Sequence, residues 1–335
     1  MLRPLIFVSL AAFSMSVSMS ASAQNLRVKV FPGAQALPVI VATSQGVFEK
    51  HGLKVELLFT PNSNELRDES AKGVNQVSHA AIDNAIAVVE RAKADVVIVS
   101  GGDSSMNEFF VQPEVRSIAD MKGRVLGVDA PNTAYALQAK KILLLNGLKE
   151  GRDYTLKEVG GTLFRYKAMR EDKQLAATML NPPFSVEAKA VGLKSLGRAV
   201  DLIGPYQATG AFVLRSWAKE NADTLERYLA ALIEATRWVA DPANQAACAK
   251  ILVERFKVEP QAAAQTVQQL HDPKFGLAPD ARFNVEGFRN VLALRAELEG
   301  DWGGKPPAAE KYYDLSYYDR ALKRLGSGAT GSGRR

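Results

Sequence analysis

Polar side chains gather at points where an apolar strand of this chain gives way to a helix. The stretch GRVLGVDAPNTAYALQAKKILLLNGL, residues 123–148, is the longest example. Its strand ends at Asp129, and Asn132 or Thr133 is placed to cap a helix that opens through Tyr135 and Leu137 and that Asn146 and Gly147 stop. A helix start carries unpaired N–H groups and the positive end of the helix dipole. The Asn132 and Thr133 side chains, with the N–H groups near Ala134 and Tyr135, therefore form a small donor cluster. The loop DAPNT has no glycine, which a dinucleotide or triphosphate loop needs for close backbone approach. The chemistry left is capture of one carboxylate, one sulfonate or a polar ring edge.

Other junctions repeat the pattern. In HAAIDNAIAVVE, Asp83 and Asn84 follow an apolar strand and can contact a ligand, cap the next helix, or both. His79 lies inside that strand and reads as a hydrogen-bonded core histidine. In GGTLFRYKAMREDKQLAATMLNPPF, Gly160 and Gly161 allow close backbone approach and Thr162 can cap a helix. Phe164 can stack on a flat ligand or sit in the core, and Arg165 can grip an acidic group in a two-pronged contact or lie on the surface. Asn181 precedes two prolines that preset a helix start and offers both donor and acceptor. Phe31 and Gln35, in FPGAQALP, are candidate walls, and Tyr206, in GPYQATG, lies where the chain returns.

The elements that must hold these residues alternate. LRVKVF, LKVELLF, QVSHAAI and DVVIVSG read as strands separated by helices, one of them the single helix PVIVATSQGVFEKHG that Gly52 stops. RVLGV, YTLKEV and QLAATML begin a second such run, an alternation that predicts parallel sheet and an α/β fold. MNEFFVQP and GAFVLRS bracket the second run as extended crossovers, and from Trp217 to Leu325 the pattern is almost wholly helical. The expected organisation is a two-lobed α/β binding fold with two hinge crossovers. Residues 24–105 with 208–325 make lobe I, residues 106–207 make lobe II, and the Gly/Ser-rich residues 326–335 are a disordered tail. A cleft between two such lobes is a favoured place for a small ligand.

Composition narrows the function classes. Residues 1–23 have a basic start, an apolar run and Ala21-Ser22-Ala23, the pattern of a secretory signal peptide, too short in its apolar part for a membrane anchor. Forty-two basic against 36 acidic side chains give +6, spread along the chain without a basic stripe interleaved with aromatics, so nucleic-acid binding is not expected. The single cysteine, Cys248, excludes an internal disulfide and any cysteine metal cluster, and its apolar neighbours mark it as a buried structural thiol. Neither a G-x-S-x-G elbow nor an H-E-x-x-H helix occurs.

Three pieces carry a family resemblance: ATSQGVFEKHGLKVEL, SIADMKGRVLGV and AATMLNPPF. Over about Leu26 to Arg320 the chain resembles the periplasmic substrate-binding proteins of the nitrate, sulfonate, taurine and thiamine-precursor ABC importers. That resemblance implies a type II periplasmic binding fold that closes on a small anionic or polar-heterocyclic ligand and delivers it to a membrane permease. It also implies ligand contact at the Asn132–Thr133 junction. No cofactor, metal or catalysis is expected, and the protein is expected to be a periplasmic monomer. Two alternatives stay open. One is a cofactor-dependent enzyme of pyrimidine synthesis on the same fold, although this chain lacks the cysteine-rich iron site of the fungal relative. The other is the ligand-binding partner of a periplasmic sensor.

Overall fold

The computed structural model describes residues 24–329, so the expected leader, residues 1–23, and residues 330–335 lie outside the described residues. Ten strands form two five-stranded sheets. The first contains β1 (Gln24–Val30), β2 (Leu53–Phe59), β3 (Val77–Ala81) and β4 (Val96–Ile98). The second contains β5 (Glu108–Val111), β6 (Arg124–Val128), β7 (Tyr154–Glu158), β8 (Leu175–Leu180) and β9 (Lys194–Arg198). The last strand, β10 (Thr209–Leu214), returns to the first sheet. The orders are β2-β1-β3-β10-β4 and β7-β6-β8-β5-β9.

Both sheets follow one plan. Three parallel strands are built by strand–helix–strand units, and the fourth place is taken by an antiparallel strand that arrives from the other sheet's side. The two extended stretches expected as crossovers are thus β5 and β10 themselves, paired on both edges within their sheets. This corrects the all-parallel expectation. A chain that passes between two sheets enters each new one without a helical return, so antiparallel pairing is open to it.

Other differences have local causes. The helix expected over residues 38–52 is two, Leu37–Ser44 and Val47–Lys50, because Gly46 takes a left-handed conformation (φ 69°) that interrupts the ladder. Strand β9, KSLGR, carries no apolar alternation and is half-exposed along its length, so pattern gave no sign of it. The last helix, Ser316–Ala329, runs into the stretch expected as a disordered tail. Tyr317, Tyr318 and Ala321 anchor it against the long helix Ala222–Ala240, and the backbone ladder continues past Gly326.

The helical C-terminal part covers the first sheet. Ala222–Ala240 buries Leu225, Tyr228, Leu229, Leu232 and Ile233 against the Leu37–Ser44 helix, with Tyr228 stacked on Phe48 at 5.3 Å. Cys248 is fully buried, and burial pushes its thiol up to about 11. On the opposite face, Phe288 of the helix Val285–Glu299 meets Phe283 at 5.3 Å, Tyr313 at 6.1 Å and Tyr312 at 6.2 Å. Among the described residues no helix is long and apolar enough to cross a membrane.

Removing Phe288 would empty the centre of that aromatic cluster. Phe288→Ala should cost roughly 3–5 kcal/mol of stability in urea unfolding, the usual range for a fully buried phenylalanine. Phe164→Ala, at a side chain 39% exposed, should change stability by no more than about 0.5 kcal/mol. Equal effects at the two positions would contradict this placement of the core.

Candidate ligand cavity between the two sheets

A narrow cavity lies where the strand ends of the two sheets face one another. From the first sheet's side it is lined by Phe31, just past β1, by Ala80 and Ala81 of β3, by Thr209 of β10, and by Gln35, Ser63 and Asn84. From the second sheet's side come Asp129, just past β6, then Thr133, Ala134, Tyr135, Gly161, Thr162 and Arg165. Carboxyl ends of parallel strands leave helix starts and short loops facing such a crevice.

Arg165 dominates its electrostatics. The guanidinium is 1% exposed and donates to the carbonyls of Gly160 (2.7 Å) and Met179 (3.1 and 3.3 Å) and to Thr162 Oγ1 (3.1 Å). It lies 5.8 Å from the centre of the Tyr135 ring. No described carboxylate pairs with it. Burial lowers its pKa, while Asp129 and Tyr135 pull the other way; burial also pushes the Tyr135 phenol well up. A buried cation bonded directly only to neutral dipoles and a ring face, with Asp129 acting on it from a distance, leaves part of its desolvation cost uncompensated. An anion entering the cavity would offset that cost.

The helix start that opened the sequence analysis behaves differently from the capping expectation. Thr133 occupies the cap position of Ala134–Leu145, but its hydroxyl donates back to the Ala130 carbonyl at 2.9 Å and caps nothing. The first N–H groups of that helix are left to the cavity side, where Thr133 and Ala134 stand.

A second set of contacts joins the two sides. Asp129, from the second sheet's side, accepts the Ser63 hydroxyl (2.5 Å) and backbone N–H (3.1 Å) at the start of the helix Ser63–Ala71. Arg67 of that helix donates to Asn84 Oδ1 (2.7 Å), Asn132 Oδ1 (2.6 Å), the Asn132 carbonyl (3.2 Å) and Asp83 (3.3 Å). Arg295 pairs with Asp83 at 2.6 Å and Asp301 at 3.0 Å and reaches the Asn132 carbonyl at 3.4 Å. Burial lowers the Arg67 pKa. Arg295 is held above its usual value because Asp83 and Asp301 outweigh its burial. Asn132 therefore ties its own side to two guanidinium groups on the other.

The residues expected at the site divide accordingly. Phe31, Gln35, Asn84, Thr133, Tyr135, Thr162 and Arg165 line the cavity. Asp83 does not: it is consumed by Arg295 and Arg67, and it neither reaches the cavity nor caps its helix. Asn132 is turned to the same network. Asn181 stands behind the wall, its amide donating to Gln35 Oε1 at 2.8 Å while its own Oδ1 is buried without a partner. Phe164 points outward, since neighbours in a helix lie about 100° apart and Arg165 takes the inward direction. Tyr206 is buried in an apolar cluster with Leu137 and Phe288, and its hydroxyl has no partner. Thr162 is the first helical residue rather than a cap, and it accepts from Arg165. Sequence reasoning missed Ser63, Asp129 and Thr209 in the wall, and Arg67 and Arg295 behind it. Each reads as an ordinary polar residue on a helix or strand end, and only the meeting of distant segments gives it a role.

The model of the NMT1-like family matches residues 20–253. The chain belongs to the NMT1-like family. A putative ABC transporter periplasmic binding protein of Brachyspira hyodysenteriae is 24% identical over 251 residues, 69% of each chain. Among solved structures, the periplasmic nitrate-binding protein of Synechocystis PCC 6803 aligns with a TM-score of 0.79 at 14% identity, over 92% of this chain and 90% of that one. The alkanesulfonate-binding protein of Xanthomonas axonopodis pv. citri, bound to MOPS, gives 0.69 at 17% identity, over 87% and 96%. The likeness to these structures shows that this member of the NMT1-like family has the periplasmic binding protein fold.

His79 of β3 is buried as expected, but neither ring nitrogen has a partner, which corrects the reading of a satisfied histidine. Burial lowers its pKa to about 4. The folded form therefore holds the ring neutral, while the unfolded chain protonates it near pH 6.5. This contribution to stability is present above about pH 6.5 and is lost as pH falls towards 4, by roughly 3 kcal/mol. Urea unfolding at pH 7 and pH 4 should show a loss smaller by about that amount in His79→Gln than in the unsubstituted protein. The same loss in both would contradict a buried, neutral His79.

Proposed function

We propose that this chain is a solute-binding protein exported to the periplasm, which captures a small carboxylate, sulfonate or polar heterocycle between two lobes and delivers it to an ABC importer. Residues 24–105 with 208–325 form one lobe and residues 106–207 the other. The passages between β4 and β5 and between β9 and β10 act as hinges, and the protein works as a monomer. Family membership and the relatives named for nitrate, alkanesulfonate and ABC transport support this reading.

The observation that carries the ligand class is Arg165: a buried guanidinium, unpaired by any described carboxylate, on the wall of a cavity between the two sheets. The Thr133, Thr162 and Thr209 hydroxyls and the Asn84 and Gln35 amides offer orientation, and Phe31 and Tyr135 offer flat apolar walls. These are recognition groups. Asp129, the carboxylate in the wall, already accepts two bonds from Ser63, which supports binding without turnover.

The test is a thermal-shift panel of nitrate, sulfate, methanesulfonate, benzoate and an uncharged aminopyrimidine. A true ligand at about 100 Kd should add about 2.7 kcal/mol, a rise of several degrees, and should be recovered chemically unchanged. Arg165→Met should weaken an anion roughly 10- to 100-fold and Thr133→Ala roughly tenfold, each judged against its own unliganded melting point. A shift as large in Arg165→Met as in the unsubstituted protein would overturn the anion reading, and recovery of altered ligand would overturn the non-catalytic one.

A further inference from the structure

A second, open groove lies on the outer side of the junction, apart from the cavity above. It has room for about 440 Å³ and is built from both sides. Pro32, Phe59 and residues 255–258 come from the first sheet's side, while Leu163, Tyr166, Lys167, Arg170, Phe184 and Glu187 come from the second's. Leu163, Tyr166, Lys167 and Arg170 recur at i, i+3, i+4 and i+7 and so share one face of the helix Thr162–Glu171. Arg165 leaves that helix in another direction, towards the inner cavity. One helix thus presents a buried cation inward and two exposed cations outward.

The floor of the groove is aromatic. Phe256 packs edge-on against Phe59 (6.2 Å) and against Phe184 (6.3 Å), and Phe184 stacks on Tyr166 at 6.0 Å. The rim is cationic. Lys167, Arg170, Arg255 and Lys257 are all exposed, and none pairs with a carboxylate among the described residues. Arg170 lies 5.5 Å from the Tyr166 ring centre and Arg255 6.0 Å from that of Phe59, so both stay over the floor. The single carboxylate of the lining, Glu187, is taken by the Tyr166 hydroxyl (3.2 Å) and the Glu259 N–H (2.9 Å). Among the described residues some surface cations elsewhere pair with carboxylates, as Lys157 does with Asp172 and Lys141 with Glu297, and others do not. What sets the groove apart is four unpaired cations on one space. Here four cations drawn from two separate segments share one space with a single carboxylate, Glu187, so most of their repulsion is left unrelieved.

We infer that this groove is a binding site for an organic polyanion with a flat apolar body, the acidic groups pairing with Lys167, Arg170, Arg255 and Lys257 and the body lying on Phe59 and Phe256. The site is separate from the inner cavity and goes beyond the function proposed above. A monoanion satisfies one cation and leaves the others repelling, so the groove selects for charge number as well as for a ring.

Calorimetric titration at low salt with benzene-1,3,5-tricarboxylate and with benzoate tests the site. The tricarboxylate should bind at least tenfold more tightly than benzoate and weaken as salt is raised. Lys167→Gln combined with Lys257→Gln removes two exposed charges without touching the core, and should weaken the tricarboxylate at least fivefold with the melting point unchanged. Lys54→Gln combined with Lys93→Gln, the same charge change at exposed positions outside both the groove and the cavity, should bind it as the unsubstituted protein does. No detectable binding, binding indifferent to the Lys167 and Lys257 substitutions, or binding weakened equally by the Lys54 and Lys93 substitutions would each overturn the proposal.

Discussion

A guanidinium buried without a carboxylate is a standing electrostatic debt, and the architecture around Arg165 is organised about it. The side chain is fixed by the Gly160 and Met179 carbonyls, which belong to the start of one helix and the end of β8, so the sheet itself sets its position. Neutral dipoles can hold a buried cation in place, but they compensate its lost hydration less fully than an opposite charge does. The site is therefore poised for an anion. The apolar faces of Phe31, Ala80, Ala81 and Tyr135 stand beside these polar groups, and a ligand that displaces water from between them strengthens each polar contact it makes.

The cavity wall is completed by groups that the other side supplies. Asp129 reaches across to Ser63, and Asn132 reaches across to Arg67 and Arg295, so contacts that seal the cavity are made between the two sheets rather than within either. Buried ionic networks of this kind contribute less to net stability than their geometry suggests, because each charge must first be desolvated. Their value lies in direction: Arg67 and Arg295 both end on Asn132, which defines one way of bringing the sides together. Asp83, which might have faced a ligand, is instead the counter-charge that allows two arginines to lie side by side.

Much of this was legible from the residues in order. The alternation of strands and helices gave the α/β class, and the strand-to-helix junctions at Asn84, Thr133 and Thr162 pointed to the cavity wall, because helix starts at strand ends must face the crevice. What stayed hidden is relational. Asn132 and Thr133 are adjacent and similar, yet one turns to Arg67 and the other to the cavity, a choice made by a helix more than sixty residues away. Phe164 and Arg165 were both plausible until the rotation of their helix admitted only one. The antiparallel strands β5 and β10 carried no local sign of their direction, since pairing direction depends on where the chain has come from rather than on side-chain pattern.

The central claim is that the two sides close over a ligand neutralising Arg165, and small-angle X-ray scattering tests it most directly. Scattering should be recorded from the protein beginning at Gln24, alone and saturated with the anion that gives the largest melting shift. The account predicts a smaller radius of gyration with the anion, and no such change in Arg165→Met at the same anion concentration. An identical radius in the free and saturated protein, with binding confirmed by calorimetry, would contradict it.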